Sequence, residues 1–108
     1  MKLSPQLQAL SDTESTAHAR LQQHSTINPI LGIRQQMRQR GIPADVLTID
    51  ELQSGKRIVL ILHDQQPDTV MGQFTEIDAT QDAAYTHHPL NEVTEDTLYQ
   101  WMHNHLRS

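Results

Sequence analysis

Seven histidines and a scatter of carboxylates are the groups in this chain with chemistry to offer. His63-Asp64 closes an aliphatic run, His87-His88 sits in a later polar stretch, and His103 and His105 lie near the end. A protein-bound metal needs three or four such ligands converging at about 2.0–2.2 Å. No two of the histidines have the i, i+4 spacing of a helical H-E-x-x-H site, and residues 103 and 105 on a helix diverge by about 200°. A site made from His63, Asp64, His87 and His88 requires the 78–89 segment to fold back over the end of a hairpin. A metal- or carboxylate-dependent hydrolase centred there is the alternative reading of the sequence. The plainer one makes His87-His88 solvated loop residues and His63 a strand-end side chain bonded to a neighbour.

Other chemistry is thinly represented. Asp64, Asp68 and Asp78 fall near turns, and paired carboxylates do acid–base work only where a pocket perturbs one of them. The serines occupy cap, arm, turn or terminal positions, and no G-x-S-x-G is present. The four glycines are too scattered to cradle a phosphate. The chain contains no cysteine, which removes disulfides, thiolate metal sites and thiol catalysis. No catalytic signature and no cofactor follow, and the residues left to consider are those of an interaction surface. Arg34 and Arg38 lie one turn apart in a helical reading, with Arg40 nearby. They form either a solvated face or a strip for acids such as Asp45, Asp50 and Glu51, within the chain or on a partner. Trp101, beside Tyr99, serves as core or as an interface anchor. Leu7, Leu10 and Leu21 form a sparse stripe, with Leu3 and Ala17, that suits contact with a second copy.

The elements that must position these residues are marked by their caps. Ser4-Pro5 is a serine N-cap with proline at the first helical position, which predicts a helix over about 5–23. Asn28-Pro29 repeats the signal. Ile30, Ile33 and Met37 at i, i+3, i+7 then predict a second helix over about 29–40, closed by Gly41, Ile42 and Pro43. Within it, Gly32 costs about 1 kcal/mol relative to alanine. A β-prone run at 45–49 leads into a capping-box pattern and a short helix over 50–54. Residues 57–63 are continuously aliphatic from Ile58 to Leu62, as in a strand buried on both faces and central in its sheet. A turn at 64–68 returns the chain through a strand at 69–77, while 78–89 shows no strand pattern, although Tyr85 is expected to tuck in. Thr94, with Glu95 and Asp96 behind it, starts a final helix over 95–106.

The expected fold is therefore α+β. It has a small, mainly antiparallel three-stranded sheet (about 45–49, 57–63 and 69–77) covered by three helices. Residues 1–27 form an N-terminal helical arm, and 28–108 form a single compact domain. A length of 108 residues suits one domain and is too short for a doubly wound nucleotide fold or a TIM barrel. The longest apolar run is far below the roughly 20 residues of a membrane span. No apolar stretch follows Lys2, so no secretory leader is expected and a cytoplasmic location is. Net charge is −5, yet residues 1–42 carry +3 and residues 43–108 carry −8, an asymmetry that favours contact between halves or between copies. An acidic chain, 4% aromatic, is a poor nucleic-acid binder. The expectation is a small self-associating interaction or regulatory module, a homodimer or the binder of a protein partner, in which a second copy covers the sheet its own helices cannot.

Overall fold

The computed structural model describes residues 4–79 and 84–107 of the chain. Helix α1 (Pro5–His24) is followed by strand β1 (Ile30–Arg34), the one-turn helix α2 (Gln36–Gln39), and strands β2 (Ala44–Glu51), β3 (Lys56–His63), β4 (Thr69–Glu76) and β5 (Thr86–Pro89). A 3-10 turn and helix α3 (Glu95–His105) end the chain. The five strands form one antiparallel sheet in sequence order, β1-β2-β3-β4-β5. The class is α+β, but the sheet has five strands rather than three.

Both additional strands come from segments the sequence disguised. The helix expected over 29–40 is instead β1, a bend, and four residues of α2. Ile30 to Arg34 pairs along its whole length with β2, from Ile30 opposite Asp50 to Arg34 opposite Val46. Two features favour a strand there. The isoleucines are stiff at Cβ and fit a pleated surface. At Gly32, a Cβ would stand 2.8 Å from the Thr48 hydroxyl across the strand pair, so the glycine admits a close neighbour. Asn28 caps nothing: its backbone N–H donates to Glu51 Oε2 at 2.8 Å, and its side-chain oxygen accepts from Gln22 at 3.0 Å. The Gly41 stop is real, though it ends a single turn. Gly41 has φ of 85°, and Ile42 N donates to Met37 O at 2.8 Å.

Part of the 78–89 segment is also a strand. Thr86 to Pro89 adds to β4, although nothing in its own composition favours it, because β4 offered an open hydrogen-bonding edge. The short helix expected over 50–54 is absent. Strand β2 continues to Glu51 and turns at Gly55, φ 72°, directly into β3. Leu3, counted in the first stripe, lies outside the described residues, as do 80–83 within the 78–89 segment.

Strand β3 is the middle strand. On one face, here the helix face, Leu47, Ile49, Ile58, Leu60, Leu62 and Val70 pack with Leu7, Leu10, Ala17 and Leu21 of α1 and Leu98 and Met102 of α3. The residues read as an arm therefore share the core of the domain. The Ser4 side chain caps α1 by accepting from Leu7 N at 3.1 Å, and Thr94 caps α3 in the same way. The two helices are also joined by Arg20, which lies 4.1 Å above the Tyr99 ring and donates to Asp96 at 3.0 Å. On the other, open face a smaller cluster forms from Ala44, Val59 and Ile61, with Met37, Val46 and Met71 against it. Val59 and Ile61 are only 9% and 5% exposed. These two central residues are thus buried within one chain, on a face that α2 covers only in part. Among the described residues no helix is long and apolar enough to cross a membrane.

One polar group interrupts the α1 stripe. Glu14 is buried between Leu10 and Ala17 in the heptad-like row, and its Oε1 has no hydrogen-bond partner among the described residues. Burial pushes its carboxyl above the ordinary value, an effect that His18, one turn on, partly offsets. A carboxyl raised in the fold favours folding when protonated, so its contribution is fullest below its unfolded value and is lost as pH rises through the folded one. Glu14→Gln is expected to raise the melting temperature at about pH 7.5 and leave it nearly unchanged at about pH 4. Thermal melts at the two pH values check this, and an equal gain at both would place the effect elsewhere.

Candidate functional site

The open face carries a concavity of about 330 Å³. Its floor follows from strand alternation, since cross-strand partners share a face. Thr48 lies opposite Val59, Val59 opposite Gln73, and Val46 opposite Ile61. Thr48 and Gln73 are both buried, polar residues set among apolar ones. Met37, Arg40 and Ile42 line it from α2 and its cap, Arg34 from β1, and Tyr85 from the residue before β5. The short α2 is what leaves this face accessible: one turn of helix covers the Val59–Ile61 cluster and stops.

Charge in the concavity is lopsided. Among the described residues Arg34, Arg40 and Arg57 line it and no carboxylate does, in a chain with 13 acids and 8 lysines and arginines. Arg57 is clamped by Asp50, its cross-strand partner, through Nε–Oδ1 and Nη2–Oδ2 contacts of 2.7 and 2.8 Å. That pair raises the Arg57 pKa and largely neutralises the charge. Arg34 and Arg40 are exposed and have no ion-pair or hydrogen-bond partner among the described residues. Tyr85, expected to be tucked in, is 40% exposed at this rim.

Arg38, by contrast, is fully engaged. Its Nε and Nη2 donate to Asp45 at 2.6 and 2.9 Å, and its Nη1 and Nη2 donate to Asp64 at 2.9 and 2.7 Å. One guanidinium therefore joins α2 to the start of β2 and the end of β3. Of the acids suggested for the arginine strip, Arg38 meets Asp45 alone, while Asp50 pairs with Arg57 and Glu51 accepts from the Asn28 N–H. Arg38 donation lowers the exposed Asp64 carboxyl below the ordinary range. The Asp45 side chain is 2% exposed, so its charge needs this counter-ion.

The four residues of the hydrolase reading are dispersed. His87 and His88 are consecutive in β5 and so point to opposite faces. His88 meets Trp101 at 4.9 Å between ring centroids and bonds to Thr86. His63 accepts from Gln65 N at 3.2 Å, and Asp64 is held by Arg38. A hollow of about 270 Å³ does adjoin His63 and Asp64, lined also by Ser4, Gln6, Leu62 and Pro67. No group of three or more potential metal ligands gathers among the described residues. His105 has another task. Its Nε2 lies 3.0 and 2.9 Å from the carbonyls of Arg57 and Thr75, and carbonyls only accept, so this nitrogen carries the proton and ties α3 to β3 and β4.

The interface residues are likewise redistributed. Leu7, Leu10 and Leu21 are interior, because α1 needs its whole apolar stripe to cover the helix face. Trp101 is half-buried against the core and makes an edge contact with Phe74, which anchors α3 to the sheet. Of the arginines singled out, Arg34 and Arg40 reach the open-face concavity. Thr48, Arg57 and Gln73 escaped notice, although Thr48 and Gln73, polar side chains inside strands β2 and β4, were the available signal. No protein-family model matches the chain, and neither a curated protein nor a solved structure matches it.

Removing Arg38 leaves Asp45 buried and uncompensated. Arg38→Ala is expected to cost about 3 kcal/mol in urea unfolding, and Arg38→Ala with Asp45→Ala less than that. If the double variant is no more stable than the single one, the buried charge is not the cause.

Proposed function

We propose that this chain is an interaction module that pairs with a second copy of itself through the free edge of β1. The observation that carries this reading is the contrast between the two edges of the sheet. Strand β5 is four residues of histidine, threonine and a terminal proline, a blunted edge of the kind that resists pairing. Strand β1 reads Ile-Leu-Gly-Ile-Arg, carries no proline, and exposes Ile30 at 55% and Ile33 at 36%. An open row of backbone donors and acceptors with apolar side chains beside it is a template for strand addition.

The sequence of β1 is self-complementary in the antiparallel sense. A two-fold axis at Gly32 sets Leu31 opposite the second copy's Ile33 on one face, and Ile30 opposite its Arg34 on the other. Apolar cross-strand pairs of this kind are worth roughly 0.2–1 kcal/mol each. The symmetric contact closes on itself and gives a dimer rather than a fibre. An edge this short places the pairing among weak, concentration-dependent associations.

Sedimentation over a series reaching the high micromolar range is expected to carry the mass from 12.3 kDa to twice that value. Ile30→Lys with Ile33→Lys, both at exposed positions, is expected to stay at the chain mass with unchanged circular dichroism. A wild-type chain that remains monomeric at the top of the series overturns the proposal, as does a lysine variant that dimerises equally well.

A further inference from the structure

The open-face concavity adjoins the β1 edge, from which Arg34 reaches it, and has the makings of a ligand site. Its volume of about 330 Å³ lies at the lower end of the range of small-molecule pockets, about 300–1,000 Å³. Met37, Val46 and Val59 supply an apolar bed, while Thr48 and Gln73 place two polar groups on the floor. Arg57 is balanced by Asp50, which leaves Arg34 and Arg40 as the uncommitted charges at the rim. We propose that this concavity binds a small amphipathic carboxylate, its acidic head between Arg34 and Arg40 and its apolar body over Met37, Val46 and Val59.

The chemistry narrows the class on each side. A neutral apolar molecule would leave two guanidinium groups beside it without recompense, whereas a carboxylate accepts charge-assisted bonds from them. A polyanion is disfavoured by the net charge of −5 and by the small number of free arginines. A long lipid chain exceeds the volume, so a medium alkyl or single-aromatic carboxylate fits best. Such a ligand would cover the part of the sheet that α2 leaves open.

The test uses the full chain and the fluorescent probe anilinonaphthalene sulfonate, displaced by decanoate or by decanol, which has the same alkyl length without the charge. Decanoate is expected to displace the probe at concentrations at least about tenfold below decanol, and Arg40→Gln to weaken decanoate about tenfold, the loss of one charge-assisted contact. Arg107→Gln, outside the concavity, is expected to change nothing. Amide NMR shifts on adding decanoate are expected at residues 46, 48, 59 and 73. Equal displacement by decanol, unaltered binding in Arg40→Gln, or shifts confined to α1 and α3 would each overturn the proposal. Sedimentation of Arg40→Gln separates the two readings, since Arg40 lies off β1 and its loss leaves edge pairing intact.

Discussion

Burial of β3 on both faces is the constraint from which the rest of this small domain follows. A strand of continuous aliphatic residues in the middle of five cannot be satisfied by one layer of helices. The helix face is closed by two long elements, α1 and α3, whose leucines and methionine meet those of β2, β3 and β4. The open face has no comparable element. It is sheltered by a small cluster to which a single methionine from α2 is added, and that economy is why an arginine-rimmed hollow survives beside it.

Electrostatics reinforces the same arrangement. The basic first part of the chain and the acidic second part do meet, but within one molecule. Arg20 reaches Asp96, and Arg38 grips both Asp45 and Asp64. These contacts fasten α1 to α3 and α2 to the sheet, and they use up arginines that looked available for a partner. The Arg38 cluster matters most, because α2 is one turn long and no helix of that length holds itself together. What the first part of the chain leaves uncommitted among the described residues, Arg34 and Arg40, is concentrated on the face and edge where the fold is least covered.

The hidden strands show where local pattern loses to sheet pairing. Ile30, Ile33 and Met37 match a helical period, and Asn28-Pro29 matches a helix start, yet the same residues serve a strand once β2 presents an unpaired edge. A bond-for-bond ladder along β2 satisfies five residues of backbone, which outweighs a propensity difference of a few tenths of a kcal/mol per residue. Thr86 to Pro89 follows the same logic with even less help from its own side chains. The stop at Gly41 holds: it adopts positive φ, as does Gly55 in the β2–β3 turn, because that conformation turns the chain there, whichever element precedes it.

Sequence alone determined what depends on a residue and its near neighbours: the caps at Ser4 and Thr94, the turns, and the central aliphatic strand, whose composition admits no other place. It also showed that the first and second parts of the chain attract. Tertiary structure alone decided the number of strands, the interior position of Leu7, Leu10 and Leu21, and the gathering of Arg34, Thr48, Arg57 and Gln73 on one face. Those outcomes rest on which edges are open and which side chains come to lie opposite one another, relations between distant segments that no local period encodes.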